Sequence, residues 1–68
     1  MVDARGLSCP EPVVRTKKAL DKHPEKEEVI VDNRVAFENV SRYAKVAHYK
    51  VVSTKEEGLD YHLFLEKA

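Results

Sequence analysis

The chain has 68 residues, with 12 basic and 12 acidic side chains, so its formal net charge at neutral pH is zero. This length allows one small domain, near the lower limit at which a hydrophobic core suffices without disulfides or metals. The balanced charge and the scarcity of aromatic residues argue against a nucleic-acid-binding protein, whose surface is usually basic and often carries stacking side chains.

The first element of the chain is an apolar and polar alternation at residues 2–5, which predicts a strand. The stretch Gly-Leu-Ser-Cys-Pro-Glu-Pro follows at residues 6–12. Proline is favoured at the first helical position because the N–H that it lacks would have no partner there. Pro10 therefore predicts the start of a helix that continues through residues 13–23, and it places Cys9 at the N-cap. Pro24 then ends this helix.

Cys9 is the candidate reactive residue. A helix N-terminus carries partial positive charge and stabilises an anion, so it lowers the pKa of a thiol at that position. The thiolate is the nucleophilic form of cysteine. Pro12 has no N–H, so Glu11 is expected to be the principal backbone donor to the sulfur. The alternative is a buried cysteine that acts as a small apolar side chain, and the residues alone leave both interpretations open.

The second half of the chain predicts one strand, one helix and a hairpin. Three consecutive β-branched residues at 29–31 indicate a buried strand, and Asp32 and Asn33 are candidates to cap the helix that follows. Residues 49–54 and 59–65 predict two strands, since Gly58 ends the short polar link between them. The predicted helix has a clear apolar stripe, which consists of Ala36, Val40, Tyr43, Ala44 and Ala47.

The element order is therefore βαβαββ. Right-handed crossovers would place both helices on one face of a four-stranded mixed sheet, an α+β fold with two layers and a single domain over residues 1–68. Asp32 then lies at the carboxyl end of the second strand, next to the loop that contains Cys9. Gly6, Pro10, Glu11 and Pro12 are the candidates for supporting that loop.

Three further observations concern possible partners. Arg5, Lys17 and Lys18 could attract an acidic partner surface, or they could form an ordinary solvated face. One cysteine excludes an internal disulfide, and the three scattered histidines lack the spacing of a metal site, so they are expected at helix ends and on the surface. With no signal peptide and no membrane-spanning stretch recognisable, a cytoplasmic location is expected.

The sequence also resembles a known family. Residues 3–13 and 16–20 are similar to the Cys-Pro-x-Pro signature of the TusA/SirA-like sulfur carriers, and the resemblance extends over nearly the whole chain. Residues 31–42 resemble the amino-terminal domain of the YedF branch, which is linked to selenium metabolism. The resemblance implies the same two-layer fold, and it makes Asp32 the match to an acidic residue of the family's site. The Asp-Pro of some relatives is replaced here by Asp-Asn.

The function implied by this resemblance is persulfide transfer through Cys9, as a sulfurtransferase without a cofactor. A cysteine-desulfurase-like protein would be the donor and another protein the acceptor. The YedF branch adds selenium as an alternative cargo and a DsrE-like domain or protein as a partner, in which case the chain is either an excised domain or a separate carrier. The rival hypothesis is a regulatory module that binds protein or RNA, with Cys9 as a redox sensor or a structural residue.

Overall fold

The computed structural model describes residues 1–8 and 10–68. Their elements follow the predicted order βαβαββ. The bounds are β1 Val2–Asp3, α1 Glu11–Leu20, β2 Lys26–Val31, α2 Arg34–Val46, β3 Tyr49–Glu57 and β4 Asp60–Lys67.

The four strands form one mixed sheet in the order β1-β2-β4-β3. β1 and β2 are parallel, whereas β4 is antiparallel to both β2 and β3. Parallel strands need a long crossover connection, and α1 provides it between β1 and β2. The prediction of an α+β fold with a four-stranded mixed sheet and two helices is confirmed.

The core lies between the helices and one face of the sheet. Leu63 and Leu65 of β4 are almost completely buried, as are Val29 and Val31 of β2, because alternate residues of a strand point to the same face. These side chains belong to one apolar cluster together with Val40 and Ala44 of α2. Leu63 and Leu65 therefore lie on the face of the sheet that packs against the helices.

Several predicted boundaries were wrong by a few residues. α1 begins at Glu11 with Pro10 at its N-cap, one position later than predicted, and it ends at Leu20. His23 adopts the left-handed conformation with φ 55°, and its N–H donates to the Leu20 carbonyl at 2.9 Å, so the backbone leaves the helix before the predicted end at residue 23.

The hairpin between β3 and β4 is longer than predicted. Pairing continues to Glu57 and Asp60, which leaves only Gly58 and Leu59 in the turn. Gly58 has φ 60°, a conformation that glycine adopts without a steric penalty. The polar residues of the expected link are therefore strand residues on an exposed part of the sheet.

Candidate functional site

The candidate site lies where the two parallel strands end. β1 and β2 lead in the same direction into the N-termini of α1 and α2, so both strand-to-helix connections are at one edge of the sheet. The N–H of Ala4 donates to the Ile30 carbonyl at 2.9 Å, which extends the contact between the two strands by one residue. The loop of residues 4–10, here called the β1–α1 loop, therefore starts beside the carboxyl end of β2.

Asp32 binds the β1–α1 loop directly. Its Oδ2 accepts a hydrogen bond from the backbone N–H of Gly6 at 2.7 Å, and its Oδ1 accepts one from the Asn33 side chain at 3.2 Å. The Gly6 N–H, followed by the Asn33 amide, lowers the pKa of the Asp32 carboxyl below its ordinary value. Asp32 and the loop are thus brought together as predicted, by a contact between a side chain and the backbone.

Gly6 is required at this point for its backbone conformation. Its φ is 75°, in the left-handed region that side chains with a Cβ rarely adopt. A Cβ built on Gly6 would meet no heavy atom within 4 Å, so neighbouring groups do not restrict the residue. The turn at Gly6 aims its N–H at Asp32.

Arg5 is held by two carboxylates of the same chain. Its guanidinium donates to both oxygens of Asp3, at 2.9 and 2.8 Å, and to Asp60 at the start of β4 at 3.1 Å. These hydrogen bonds hold the pKa of Asp3 down at about 2 and raise that of Arg5. The charge of Arg5 is therefore balanced within the protein, and the side chain connects the β1–α1 loop to the β3–β4 hairpin.

The first turn of α1 is held by backbone hydrogen bonds. The N–H of Glu11 donates to the Ser8 carbonyl at 2.9 Å, and the Pro10 carbonyl accepts from Val14 at 3.0 Å. The Glu11 N–H thus has a backbone acceptor within the loop, and the expectation that it would serve the sulfur concerns Cys9 and stays a prediction. Among the described residues, no side chain caps α1. Cys9, to which the N-cap prediction applied, lies outside the described residues.

Pro12 supports the loop from the core side. It is the second residue of α1 and is almost completely buried, and its carbonyl accepts a hydrogen bond from the buried hydroxyl of Thr16 at 2.8 Å. Proline suits this position, where an N–H would have no partner inside the helix. Pro12 therefore fixes the start of α1 against the core.

Lys17 is not part of this arrangement. It lies six residues after the first residue of α1, or about 9 Å along the helix axis at 1.5 Å per residue. Its ammonium group pairs with Asp21 at 3.1 Å on an exposed surface, and this contact raises the pKa of Lys17. The interpretation of Lys17 as part of a solvated helix face agrees with this geometry.

Asn33 caps α2, as one of the two predicted candidates. Its Oδ1 accepts from the N–H of Ala36 at 2.8 Å, and its own backbone is extended, as expected at an N-cap. Asp32 does not share this function, since its carboxylate points to Gly6 instead. Asp32 therefore binds the β1–α1 loop, whereas Asn33 caps α2.

A cleft of about 320 Å³ lies between the β1–α1 loop and the N-terminal turns of α2. It contains apolar groups from both sides together with the polar side chains of the second strand-to-helix connection. The lining residues are Gly6, Leu7, Ser8, Pro12, Val13, Asp32, Asn33, Val35, Ala36 and Asn39.

Comparison with known proteins identifies the family. The sequence profile described as Sulfurtransferase TusA matches residues 1–67. The chain belongs to the TusA family. One relative is "Putative sulfur carrier protein MJ0990" of Methanocaldococcus jannaschii, which is 38% identical over 97% of this chain and 91% of the relative. Another is "Sulfur carrier protein TusA" of Allochromatium vinosum, which is 30% identical over 98% of this chain and 91% of the relative.

A solved structure supports the fold of this TusA-family chain. The crystal structure of the SirA-like protein from Desulfitobacterium hafniense matches it with a TM-score of 0.82 and 28% identity. The match covers 96% of this chain and 92% of the other. The predicted resemblance to TusA/SirA-like sulfur carriers is thereby confirmed, whereas the particular closeness to the YedF branch stays a prediction.

Sequence reasoning missed part of the site in this TusA-family chain. Asp60 contributes to it through Arg5 although 55 positions separate the two, and no sequence pattern connects them. Leu7 and Val35 line the cleft from two different elements. The spacing of two residues between Asp3 and Arg5 was a local signal only for their own ion pair, and it does not point to Asp60 or to the cleft.

The described part of the chain has neither a metal-binding cluster nor a membrane-crossing helix. Within residues 1–8 and 10–68, no group of three or more His, Asp or Glu side chains is placed to hold a metal ion. None of the helices there combines the length and apolarity that crossing a membrane requires. His23 and His48 follow α1 and α2, and the backbone of each adopts the left-handed conformation. His62 lies on the sheet, with its Nδ1 2.8 Å from a carboxylate oxygen of Glu28.

Proposed function

We propose that this TusA-family protein carries sulfur as a persulfide on Cys9. The observation that supports the proposal best is the hydrogen bond between Gly6 and Asp32, which attaches the β1–α1 loop to the end of β2. The loop is further constrained by Arg5 and by the bond between Ser8 and Glu11. These contacts fix described residues on both sides of Cys9 in the sequence, and well-positioned groups favour reaction with a bound partner.

The proposed transfer is a thiol–persulfide exchange. The Cys9 thiolate attacks the outer sulfur of a donor persulfide, a new S–S bond forms on Cys9, and the donor's S–S bond breaks. The donor sulfur leaves with the electron pair as a thiolate, so no external oxidant or reductant is required. In the second transfer an acceptor thiolate attacks the outer sulfur of Cys9 in the same way. The exchange needs no cofactor.

The proposed partners are proteins. A cysteine-desulfurase-like enzyme would supply the sulfur, and an acceptor protein would receive it. Such an exchange requires free thiols, which suits the reducing cytoplasm. Selenium is the alternative cargo in the same proposal. A DsrE-like domain or protein is a further proposed partner.

Intact-mass measurement tests this function. The full chain is incubated with a cysteine desulfurase and cysteine, and the wild type is expected to gain the mass of one sulfur atom, which dithiothreitol then removes. Cys9→Ser should gain none, because a hydroxyl does not perform the exchange. A wild-type chain that gains no sulfur from the desulfurase or from inorganic polysulfide would contradict the proposal and favour a regulatory or structural cysteine.

A further inference from the structure

The cleft beside the β1–α1 loop has the character of a small docking site. At about 320 Å³ it is at the lower end of the range of ligand pockets, roughly 300–1,000 Å³. Leu7 and Val13 line it on the α1 side and Val35 on the α2 side, and polar groups, the Asp32 carboxylate among them, line the rest. The three apolar side chains form the part of the wall that could receive an apolar group. This size suits one or two side chains of a protein segment.

Val35 shows how open this cleft is to a partner. It lies in the first turn of α2 and is 62% exposed, although it is apolar and β-branched. Val46, in the last turn of the same helix, is 70% exposed but is not among the residues that line the cleft. Single exposed valines are common, so the position of Val35 matters, and Val46 provides a matched control.

The charge of the helices indicates the chemistry of the partner. α1 contains three basic residues and one acidic residue, and α2 contains the same numbers, so the two helices together carry a net charge of +4. Since the whole chain is neutral, the remaining residues carry −4. The first turn of α2, beside the cleft, has no acidic residue. An acidic protein surface is therefore the complementary partner for the helical layer.

We propose that the cleft receives an apolar side chain from the cysteine-bearing segment of a cysteine-desulfurase-like donor, with acidic residues of that donor facing α1 and α2. The inference rests on the proposed function. Ser8, which immediately precedes Cys9 in the sequence, is itself part of the cleft wall. A donor segment seated there would approach the chain next to its thiol-bearing loop.

Paired substitutions test this docking. Val35→Glu introduces a longer, negatively charged side chain at the mouth of the cleft, and it is compatible with the first turn of a helix, where acidic residues are favoured. We expect the rate of sulfur transfer from a cysteine desulfurase and cysteine to fall about tenfold, as for an interface anchor. Val46→Glu adds the same charge to the same helix and should change that rate by less than about twofold.

Inorganic polysulfide separates docking from thiol reactivity, because a small donor needs no protein interface. Val35→Glu and the wild type should acquire sulfur from polysulfide at equal rates, and equal free energies of unfolding in urea show that the variant is folded. Val35→Ser, which removes apolar surface without adding charge, should slow only the transfer from the desulfurase. Raising the salt concentration should slow that same transfer, since salt screens the attraction between the basic helices and an acidic donor.

Several outcomes would overturn the docking proposal while leaving the carrier function intact. Equal rates of sulfur transfer from the desulfurase to Val35→Glu, Val46→Glu and the wild type would overturn it. An equal fall in that rate in both variants would also overturn it. Loading of the wild type by polysulfide but not by the desulfurase would reject the donor as the occupant. Self-association of the wild type that Val35→Glu abolishes would assign the cleft to a second copy, for which the exposed Leu59 of the hairpin is the candidate side chain. Failure to load from either source would instead reject the carrier function itself.

Discussion

The two strand-to-helix connections of this protein lie at the same edge of the sheet but are built differently. The connection between β2 and α2 consists of Asp32 and Asn33, and the Asn33 side chain caps the helix that it starts. The β1–α1 loop spans residues 4–10, and no side chain described there caps α1. The short connection satisfies its helix locally, whereas the longer one depends on groups from elsewhere in the fold.

This difference shows how the β1–α1 loop is held by groups outside it rather than by a described side-chain cap of its own helix. A side chain that accepted the free N–H groups of α1 would occupy the region of partial positive charge at the helix start. In the β1–α1 loop the constraints come from outside, through Asp32 on Gly6 and through Asp60 on Arg5. The first turn of α1 is thereby left without a competing side-chain acceptor among the described residues.

Among substitutions in the two connections, Gly6→Ala is expected to have the largest effect on stability and on sulfur loading. At φ 75° an alanine is strained by about 1–2 kcal/mol, and open space around the position offers no compensating contact. The free energy of unfolding should fall by that amount in urea titrations, and sulfur loading should slow because the loop shifts. Gly58→Ala, at φ 60° in the hairpin turn, is the control that should lose similar stability but load normally. Normal loading by Gly6→Ala would contradict the role given to the loop geometry.

A smaller effect is expected from Asn33→Ala, which removes the cap of α2. The loss of a helix cap costs about 1 kcal/mol, measured as the free energy of unfolding. Loading by polysulfide should be nearly unchanged, since Asp32 keeps its shorter bond to Gly6 when it loses the one from Asn33. Asn33→Ser should restore stability, because a hydroxyl also accepts the N–H of Ala36 and adds no second carboxylate beside Asp32. A large loss of loading in Asn33→Ala would show that the two connections are coupled.

The smallest expected effect is a loss of stability at acid pH, which comes from the carboxylates that hold the β1–α1 loop. The pKa values of Asp3 and Asp32 are lowered in the folded protein, that of Asp3 to about 2, by their hydrogen bonds to Arg5 and Gly6. Their stabilising contribution is therefore present at neutral pH and is lost as the pH falls from about 4 through these lowered values. Unfolding measured between neutral and acid pH should follow this direction.

Two variants distinguish the source of that acid sensitivity. Asp3→Asn and Asp32→Asn should each reduce the slope of stability against pH below about 4, because the titrating carboxyl is gone. Asn33→Ala should lower the whole curve and change that slope less than either aspartate variant, since it removes no titrating group and Asp32 keeps its bond to Gly6. An unchanged slope in both aspartate variants would mean that other carboxyls account for the acid response.

The sequence by itself determined the features that depend on neighbouring residues. The order of strands and helices follows from the period of the apolar residues, and the burial of Leu63 and Leu65 follows from their alternation. Asn33 was a predictable cap because capping is a contact three residues along the chain. The family was also recognisable from residues 3–13, since its signature is continuous in sequence.

Only the tertiary structure decided which groups meet at the candidate site. Asp32 reaches Gly6 across 26 positions and Asp60 reaches Arg5 across 55, through pairing of strands that local patterns do not specify. The hydrogen bond from the Glu11 N–H to the Ser8 carbonyl was also not foreseen from the sequence. Likewise, the cleft exists because parallel pairing of β1 and β2 brings the starts of α1 and α2 together, and no property of either helix alone encodes it.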